Sequence, residues 1–352
     1  GFVIVSLKTL HSSGITAALL AAVLFGMGTP LAKVLLGGVS PWLLAGLLYL
    51  GSGTGLLLYR RVKRSPKVQL PTHEVKWFVG AVLFGGVLAP VLLMWGLTHL
   101  PAANASLLLN AEAVFTALLA WFVFREQFDA RIFMGMVFIV AGAVVLSWSN
   151  EVGLAHLLPS LAILGACLAW GLDNNLTRKV SLTDATWLAM SKGAVAGVVN
   201  LTLAFALGAQ MPAMTNIAWA MVVGFLAYGL SLVLFVVALR HLGAARTGAY
   251  FSIAPFVGAV LALLMGEPLT WQLGIATVLM AIGIVLHLTE RHVHAHNHSA
   301  MTHEHEHTHD AHHQHEHEVA VDAGVRHTHI HVHSPMRHTH AHFPDMHHRH
   351  EH

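Results

Sequence analysis

Twenty-three of the 61 residues from His292 to His352 are histidine, and most of them alternate with one other residue. The clusters are His292, His294, His296 and His298; His303, His305, His307 and His309; His312, His313, His315 and His317; His327, His329, His331 and His333; His338, His340 and His342; and His347, His348, His350 and His352. In an extended chain residues i and i+2 point to one side, so each cluster presents several imidazoles together. Neutral imidazole suits nickel, cobalt, zinc and copper. The interleaved Glu304, Glu306, Asp310, Glu316 and Glu318 add oxygen donors and negative charge. A protonated imidazole does not ligate, so binding is expected to weaken on acidification below the ordinary histidine range near ~6.5. No tetrahedral Cys/His spacing is present, which argues against a closed structural zinc site. The varied run differs from a short homopolymeric tag. Two readings stay open for it: a solvated extension with no role, or metal capture, buffering or sensing that binds Ni2+, Co2+ or Zn2+.

A second set of candidates lies in apolar stretches, where a charged side chain is costly and is therefore a functional candidate by default. Glu112, with Asn110 two residues before it, could bind a divalent cation in one state and a proton in another, or could be a hydrogen-bonded residue that packs. Asp173, in "WGLDNN" (170 to 175), sits roughly 8 Å from Arg178 along a helix at 1.5 Å per residue, and Lys192 lies at a similar depth. They are read either as a buried ion pair or with Asp173 as a metal or proton ligand. Lys33 either snorkels from a helix end or meets an anion. His99 and His241 occupy matching places in an internal repeat and could bracket a metal path; singly, each reads as an interfacial polar residue.

The elements that position these groups follow from composition. A chain of 352 residues that is 55% hydrophobic and 10% charged lacks the polar surface of a soluble domain. Ten apolar helices are predicted, at 14 to 36, 40 to 59, 75 to 98, 101 to 124, 130 to 148, 157 to 178, 184 to 208, 216 to 240, 244 to 265 and 268 to 289, each long enough to span a ~30 Å hydrocarbon core. Strand alternation is absent from these segments, against a barrel. Short connections such as "THLPA" (98 to 102) make neighbours antiparallel. Lys and Arg gather at alternate ends of the spans, in Lys8, the Arg60 to Lys76 segment, Arg125, Arg131, Arg178, Lys179, Arg240, Arg246 and Arg291. By the positive-inside rule both termini are then cytosolic, the histidine-rich tail included. The first span is expected to direct insertion itself, since no cleavable leader pattern precedes it. Cys167 reads as a packing residue, as do the pairs Gly51/Gly55 and Gly193/Gly197. "RRVKR" (60 to 64) is a topology signal rather than a nucleic-acid site. Pro30, Pro90 and Pro255 fall inside spans, where they read as tolerated kinks.

"THLPAANASLLLNAEAVFTALLAWFVFRE" (98 to 126) parallels "RHLGAARTGAYFSIAPFVGAVLALLMGE" (240 to 267), with one residue of slippage. After each terminal Glu a glycine falls 16 positions on, at Gly142 and Gly283. The copies lie five spans apart, so they insert with opposite orientation, the construction of secondary transporters with a cargo site between the halves.

The sequence resembles the EamA branch of the drug/metabolite transporter superfamily. The resemblance is carried by "LFGMGTPLAK" (24 to 33), "EAVFTALLAWFVFRE" (112 to 126) and "APFVGAVLALLMGEPLTWQLG" (254 to 274), and it covers residues 14 to 289. It implies an all-α membrane protein of two inverted five-helix repeats. Residues 1–13 then form an N-terminal cytosolic segment, 14–148 the first repeat, 155–289 the second, and 290–352 a disordered histidine-rich tail. One departure is Ala113, where the family places proline after the glutamate; the second copy keeps Pro255. Within the branch the tail looks like that of nickel and cobalt resistance proteins. The resulting expectation is an efflux carrier for nickel or cobalt in the cytoplasmic membrane, embedded in the lipid bilayer, with proton exchange chemically available and no cofactor required. The alternative is a metabolite or amino-acid exporter with a metal-sensing tail, and a third reading is a membrane-anchored metal buffer. Enzymatic readings find no phosphate-binding loop and no nucleophile with a base.

Overall fold

In a hydrocarbon medium only a helix satisfies every backbone group within its own segment, and the apolar part of the chain is helical wherever it is described. The computed structural model describes residues 2–123, 130–148, 156–180, 184–242 and 244–289, together with strands over 293–298, 301–307, 327–333 and 336–341. The chain divides into two compact units, Gly1–Glu290 and Arg291–His352.

The first unit holds helices α1 (Phe2–Leu35), α2 (Pro41–Val62), α3 (Val75–Ala81), α4 (Ala89–His99), α5 (Ala102–Leu108), α6 (Ala111–Phe122), α7 (Ala130–Leu146), α8 (Leu158–Thr177), α9 (Ala185–Ala206), α10 (Met214–Gly224), α11 (Ser231–Leu242), α12 (Ala244–Phe251), α13 (Ala254–Leu264) and α14 (Trp271–Leu288). Eight segments among the described residues are long and apolar enough to cross a membrane, and α7 is a shorter apolar helix. The twenty-residue α8 falls outside that set; it carries Asp173, Asn174 and Asn175 near its end. Large apolar side chains such as Leu58, Phe122, Val144 and Val285 are exposed along the rods, a surface that lipid covers.

Two rods contain a π-helical turn, Val82–Leu88 between α3 and α4 and Phe225–Leu230 between α10 and α11. Aligned on His99 and His241, the second begins one residue late and ends in register. Two more rods are broken, at Leu109–Asn110 between α5 and α6 and at Ser252–Ile253 between α12 and α13. The interruptions thus fall at corresponding places in the two copies of the repeat. Pro30, Pro90 and Pro255 all fall inside apolar spans: Pro30 within α1, Pro90 directly after the π turn, where its missing N–H leaves a carbonyl one turn back without a helical donor, and Pro255 directly after the break at Ser252–Ile253.

Glycines set the crossings. A side chain on Gly53 would stand 2.4 Å from Ala194 N, one on Gly197 2.6 Å from Leu50 N, and one on Gly135 2.7 Å from Gly283 O, so α2 meets α9 and α7 meets α14 backbone to backbone. Gly51 and Gly55 receive α10 and the adjoining π turn at Met221 and Phe225, the packing role expected of them. Buried Cys167 donates weakly to Leu108 O at 3.6 Å, also a packing residue. Met94 and Met136 are core side chains and Met134 is exposed.

Asp184 caps α9, accepting from Thr186 N at 2.8 Å and Trp187 N at 3.2 Å. Arg60, buried at the end of α2, reaches Asp184 Oδ2 at 3.1 Å, Thr186 Oγ1 at 2.8 Å and Pro66 O at 2.9 Å. Partial burial alone would raise the Asp184 carboxyl; the Thr186 hydroxyl, the Trp187 amide and Arg60 outweigh it and hold the group below its usual range. A depressed carboxyl stabilises the fold above the unfolded value near ~3.9 and loses that contribution as pH falls through the folded one. Asp184→Asn, which keeps a capping oxygen but loses the charge facing Arg60, is therefore expected to lower the melting temperature in detergent by about 2–3 °C at pH 6, on the order of 1 kcal/mol for a partly exposed ion pair. The difference from wild type should close below about pH 4.

The second unit departs from the expected disordered tail. Its described residues form two antiparallel ladders, Val293–His298 with Met336–Ala341 and Met301–His307 with His327–His333. The alternation that spaces the histidines is also the period of a strand, and Thr328, Ile330 and Val332 supply β-favouring residues between them. His303, His305 and His307 take register positions opposite His331, His329 and His327, and Glu304 and Glu306 fall opposite Ile330 and Thr328. The remaining tail histidines outside the strands lie outside the described residues.

Candidate functional site

The π turn Val82–Leu88 places Gly85 and Gly86 against α8 and α9, and the polar groups of the first unit converge there. A π turn shifts carbonyls away from their α-helical partners, and here side chains take them. Gly85 O accepts from Tyr49 Oη at 3.1 Å and from Trp170 Nε1 at 3.0 Å. Gly86 O accepts from Asn200 Nδ2 at 3.0 Å, and Asn200 Oδ1 accepts from Trp42 Nε1 at 3.2 Å.

Asp173 rests on Gly85, its Oδ2 only 1.9 Å from where a Cβ would stand. That oxygen accepts from Lys192 Nζ at 2.6 Å, and Oδ1 accepts from Thr177 Oγ1 at 2.9 Å. The ion pair read as one alternative from helix depth is thus present. Asn174, next on α8, donates to Glu112 Oε1 at 2.9 Å and to Thr116 Oγ1 at 3.1 Å, joining α6 to the cluster. Asn175 donates to Thr116 O at 3.2 Å and Gly171 O at 2.9 Å. Glu112, Asp173 and Lys192 lie within electrostatic reach of one another. An aromatic wall adjoins them: Tyr49 stacks on Tyr228 with centroids 5.5 Å apart, and Phe25 meets Tyr228 edge-on at 5.7 Å.

The internal repeat makes this cluster one-sided. Aligning "FGMGTPLAK" (25 to 33) with "WGLDNNLTR" (170 to 178) puts Gly28 where Asp173 stands, and the π turns align Ala227 with Gly85. Gly28 does pack on Ala227, 2.9 Å from a built Cβ to the alanine methyl. The contact is preserved and its chemistry is not: one half offers a carboxylate with its lysine, the other a glycine on a methyl group.

Other sequence candidates lie elsewhere. Asn110 is buried at the α5–α6 break, donating to Leu107 O at 3.0 Å and toward Met280 Sδ at 3.6 Å, so it seals the break. Lys33, near the end of α1, donates from Nζ to Leu97 O at 2.7 Å and Thr98 O at 3.3 Å. His99 is exposed at the end of α4, with Nδ1 3.1 Å from Trp95 O, and His241 is exposed at the end of α11. Neither reaches the cluster. Among the described residues no group of three His, Cys, Asp or Glu side chains is placed to hold a metal ion. Sequence reasoning missed Tyr49, Trp170, Asn174, Tyr228 and the Gly85 cradle. Asn174 had a visible signal in the "DNN" run, whereas nothing in the sequence marks a π turn beyond two adjacent glycines.

The EamA-like transporter family model matches residues 12–148 and 157–289, two copies that leave the tail outside. An uncharacterized transporter of Methanothermobacter thermautotrophicus is 28% identical over 295 residues, 78% of this chain and 85% of that protein. A probable amino-acid metabolite efflux pump of Salmonella typhimurium is 29% identical over 167 residues, 46% of this chain and 52% of that protein. Purine permease 2 of Arabidopsis thaliana is 30% identical over 103 residues, 27% of this chain and 29% of that one. A solved crystal structure shares the fold with a TM-score of 0.57 at 18% identity, covering 79% of this chain and 96% of that one.

Proposed function

Because this chain belongs to the EamA-like transporter family, we propose that it is a secondary exporter that moves a small, charged organic solute through the cluster around Asp173, Lys192 and Glu112, with the histidine-rich extension binding metal as a sensor or buffer. Ten spans, two inverted halves and cytosolic termini in the cytoplasmic membrane complete the reading, the orientation resting on the Lys and Arg bias. The observation that carries the organic cargo is the Lys192 ammonium 2.6 Å from Asp173. A bare divalent cation would meet a fixed positive charge where Glu112 and Asp173 converge. A solute with groups of both signs can engage Lys192 and Glu112 together, and the Tyr49–Tyr228 face gives its carbon frame a surface. Two relatives carry names of organic solutes, a purine and amino-acid metabolites.

Nickel or cobalt efflux is the second reading, favoured by the 23 histidines from His292 onward. On that reading the tail collects ions at the inner mouth, Glu112 takes the ion, and a proton returns. One experiment separates the two. Proteoliposomes holding the full chain, or the chain without residues 292–352, are assayed for counterflow of a radiolabelled amino-acid and nucleobase mixture and of radioactive nickel. Organic counterflow that survives tail removal, with no nickel flux in either form, is the expected result. Nickel flux that depends on the tail, without organic counterflow, overturns it in favour of the metal carrier.

A further inference from the structure

The α4–α5 turn is held from two sides by charges of opposite sign. α13 ends at Gly266, whose φ of +105° is open to glycine alone among common residues, and the reversed chain presents Glu267 to the start of α5. The Glu267 carboxylate accepts from Ala102 N and, at 3.1 Å, from Ala103 N. On the other side of Leu100–Pro101, Lys33 caps the last carbonyls of α4 at Leu97 and Thr98. An anion at a helix start and a cation at a helix end both oppose the local backbone dipole, and Glu267 stands within electrostatic reach of Lys33.

The two arms come from different repeats. Lys33 and the turn belong to the first matched segment, Glu267 to the second, so the Glu267 contact must break if the halves part at this face. Arg60 with Asp184 also joins the halves, but along the α2–α9 seam that Gly46, Gly53, Gly193 and Gly197 close over its length, which marks a fixed seam. In the repeat Arg178 aligns with Lys33 and Glu126 with Glu267, Glu126 lying outside the described residues.

We propose that Lys33 and Glu267 form a two-armed latch on the α4–α5 turn, closed in this structure and released whenever the carrier opens to the face that carries the turn. The inference rests on the alternating-access reading above. Release would swing α5, and with it the break at Leu109–Asn110 that leads into Glu112.

The test needs no cargo, so its failure is distinct from failure of the transport reading. Leu100→Cys is placed on the turn, buried Cys167 serving as the unreactive background, and the rate of labelling by a membrane-impermeant maleimide is measured in sealed cells. Glu267→Gln added to it is expected to raise the rate about tenfold, the population shift of one charge-assisted hydrogen bond, and Lys33→Met to raise it several-fold. Glu267→Asp, which keeps the charge, should stay near the parent and guards against a folding artefact. Equal rates in the parent and in Glu267→Gln, with an unchanged melting temperature, overturn the latch, as does a rise equally large in Glu267→Asp.

Discussion

Lys192→Met is expected to lower the melting temperature of the purified carrier by about 10 °C and to abolish transport. The side chain of Asp173 is 4% exposed and that of Lys192 25%, so the substitution strands a carboxylate in a site that the Gly85 backbone, Trp170 and Tyr49 close on the other side. Removing one partner of a buried pair costs roughly 3–5 kcal/mol, and replacing both costs far less, since no uncompensated charge remains. At about 2–4 °C per kcal/mol for a chain of this order the single variant loses ~10 °C. The double variant Asp173→Asn with Lys192→Met should recover most of that and still fail to move cargo. Thermal unfolding in detergent and counterflow in proteoliposomes read the two effects separately. A single variant as stable as wild type, or a double variant no more stable than the single, would show that the pair does not organise the cluster.

Much of this arrangement was legible because depth in a membrane is a one-dimensional quantity. Counting residues from Arg178 placed Asp173 level with Lys192, and the structure joins them. The repeat was legible through "THLPAANAS" against "RHLGAARTG", and the family match to both halves agrees with it. Azimuth was not legible. Asn110 and Glu112 are two residues apart, yet the break at Leu109–Asn110 sends one to Leu107 and Met280 and the other to Asn174. Nor could sequence reveal where carbonyls leave the α-helical ladder. The π turn on Gly85 and Gly86 gives Tyr49, Trp170 and Asn200 their backbone partners; the missing N–H of Pro90 frees a carbonyl in that stretch, but does not say which side chains take it. Lys33 read as a snorkelling end because its partners, two carbonyls 64 and 65 residues away, have no side-chain signature. In the tail, histidine density suggested a solvated chain, while the same alternation allowed a ladder.

The one-sidedness of the cluster bears on mechanism. A carrier of two inverted halves exchanges their conformations, so residues at related positions trade environments. Here only one of the two related positions is charged, Asp173 against Gly28, with Gly85 against Ala227 beneath them. Asp173 and Lys192 come from the second repeat and Glu112 from the first, so on the proposed function a solute held by Lys192 and Glu112 bridges the two halves, with the charged pair always on the second.

Glu112→Gln should reduce net export driven by a pH gradient by about 100-fold, the worth of a ~3 kcal/mol charge-assisted contact, with a melting temperature within about 2 °C of wild type. The amide is nearly isosteric and keeps an oxygen for Asn174, which donates to Glu112 Oε1 at 2.9 Å while its other hydrogen goes to Thr116 Oγ1. Packing is preserved and only the charge and the exchangeable proton are lost. Extending the proposed function, we expect Glu112 to meet a positive group of the cargo in one state and to take a proton in the other, so the amide can do neither and remains as though always protonated. Exchange of labelled for unlabelled cargo needs only that binding persist, and should fall less than gradient-driven export. The measurement is initial rates in proteoliposomes, with and without an imposed pH gradient, for the solute that wild type moves. Equal losses in both modes would make Glu112 a binding group without a coupling role, and wild-type rates in both would remove it from the path.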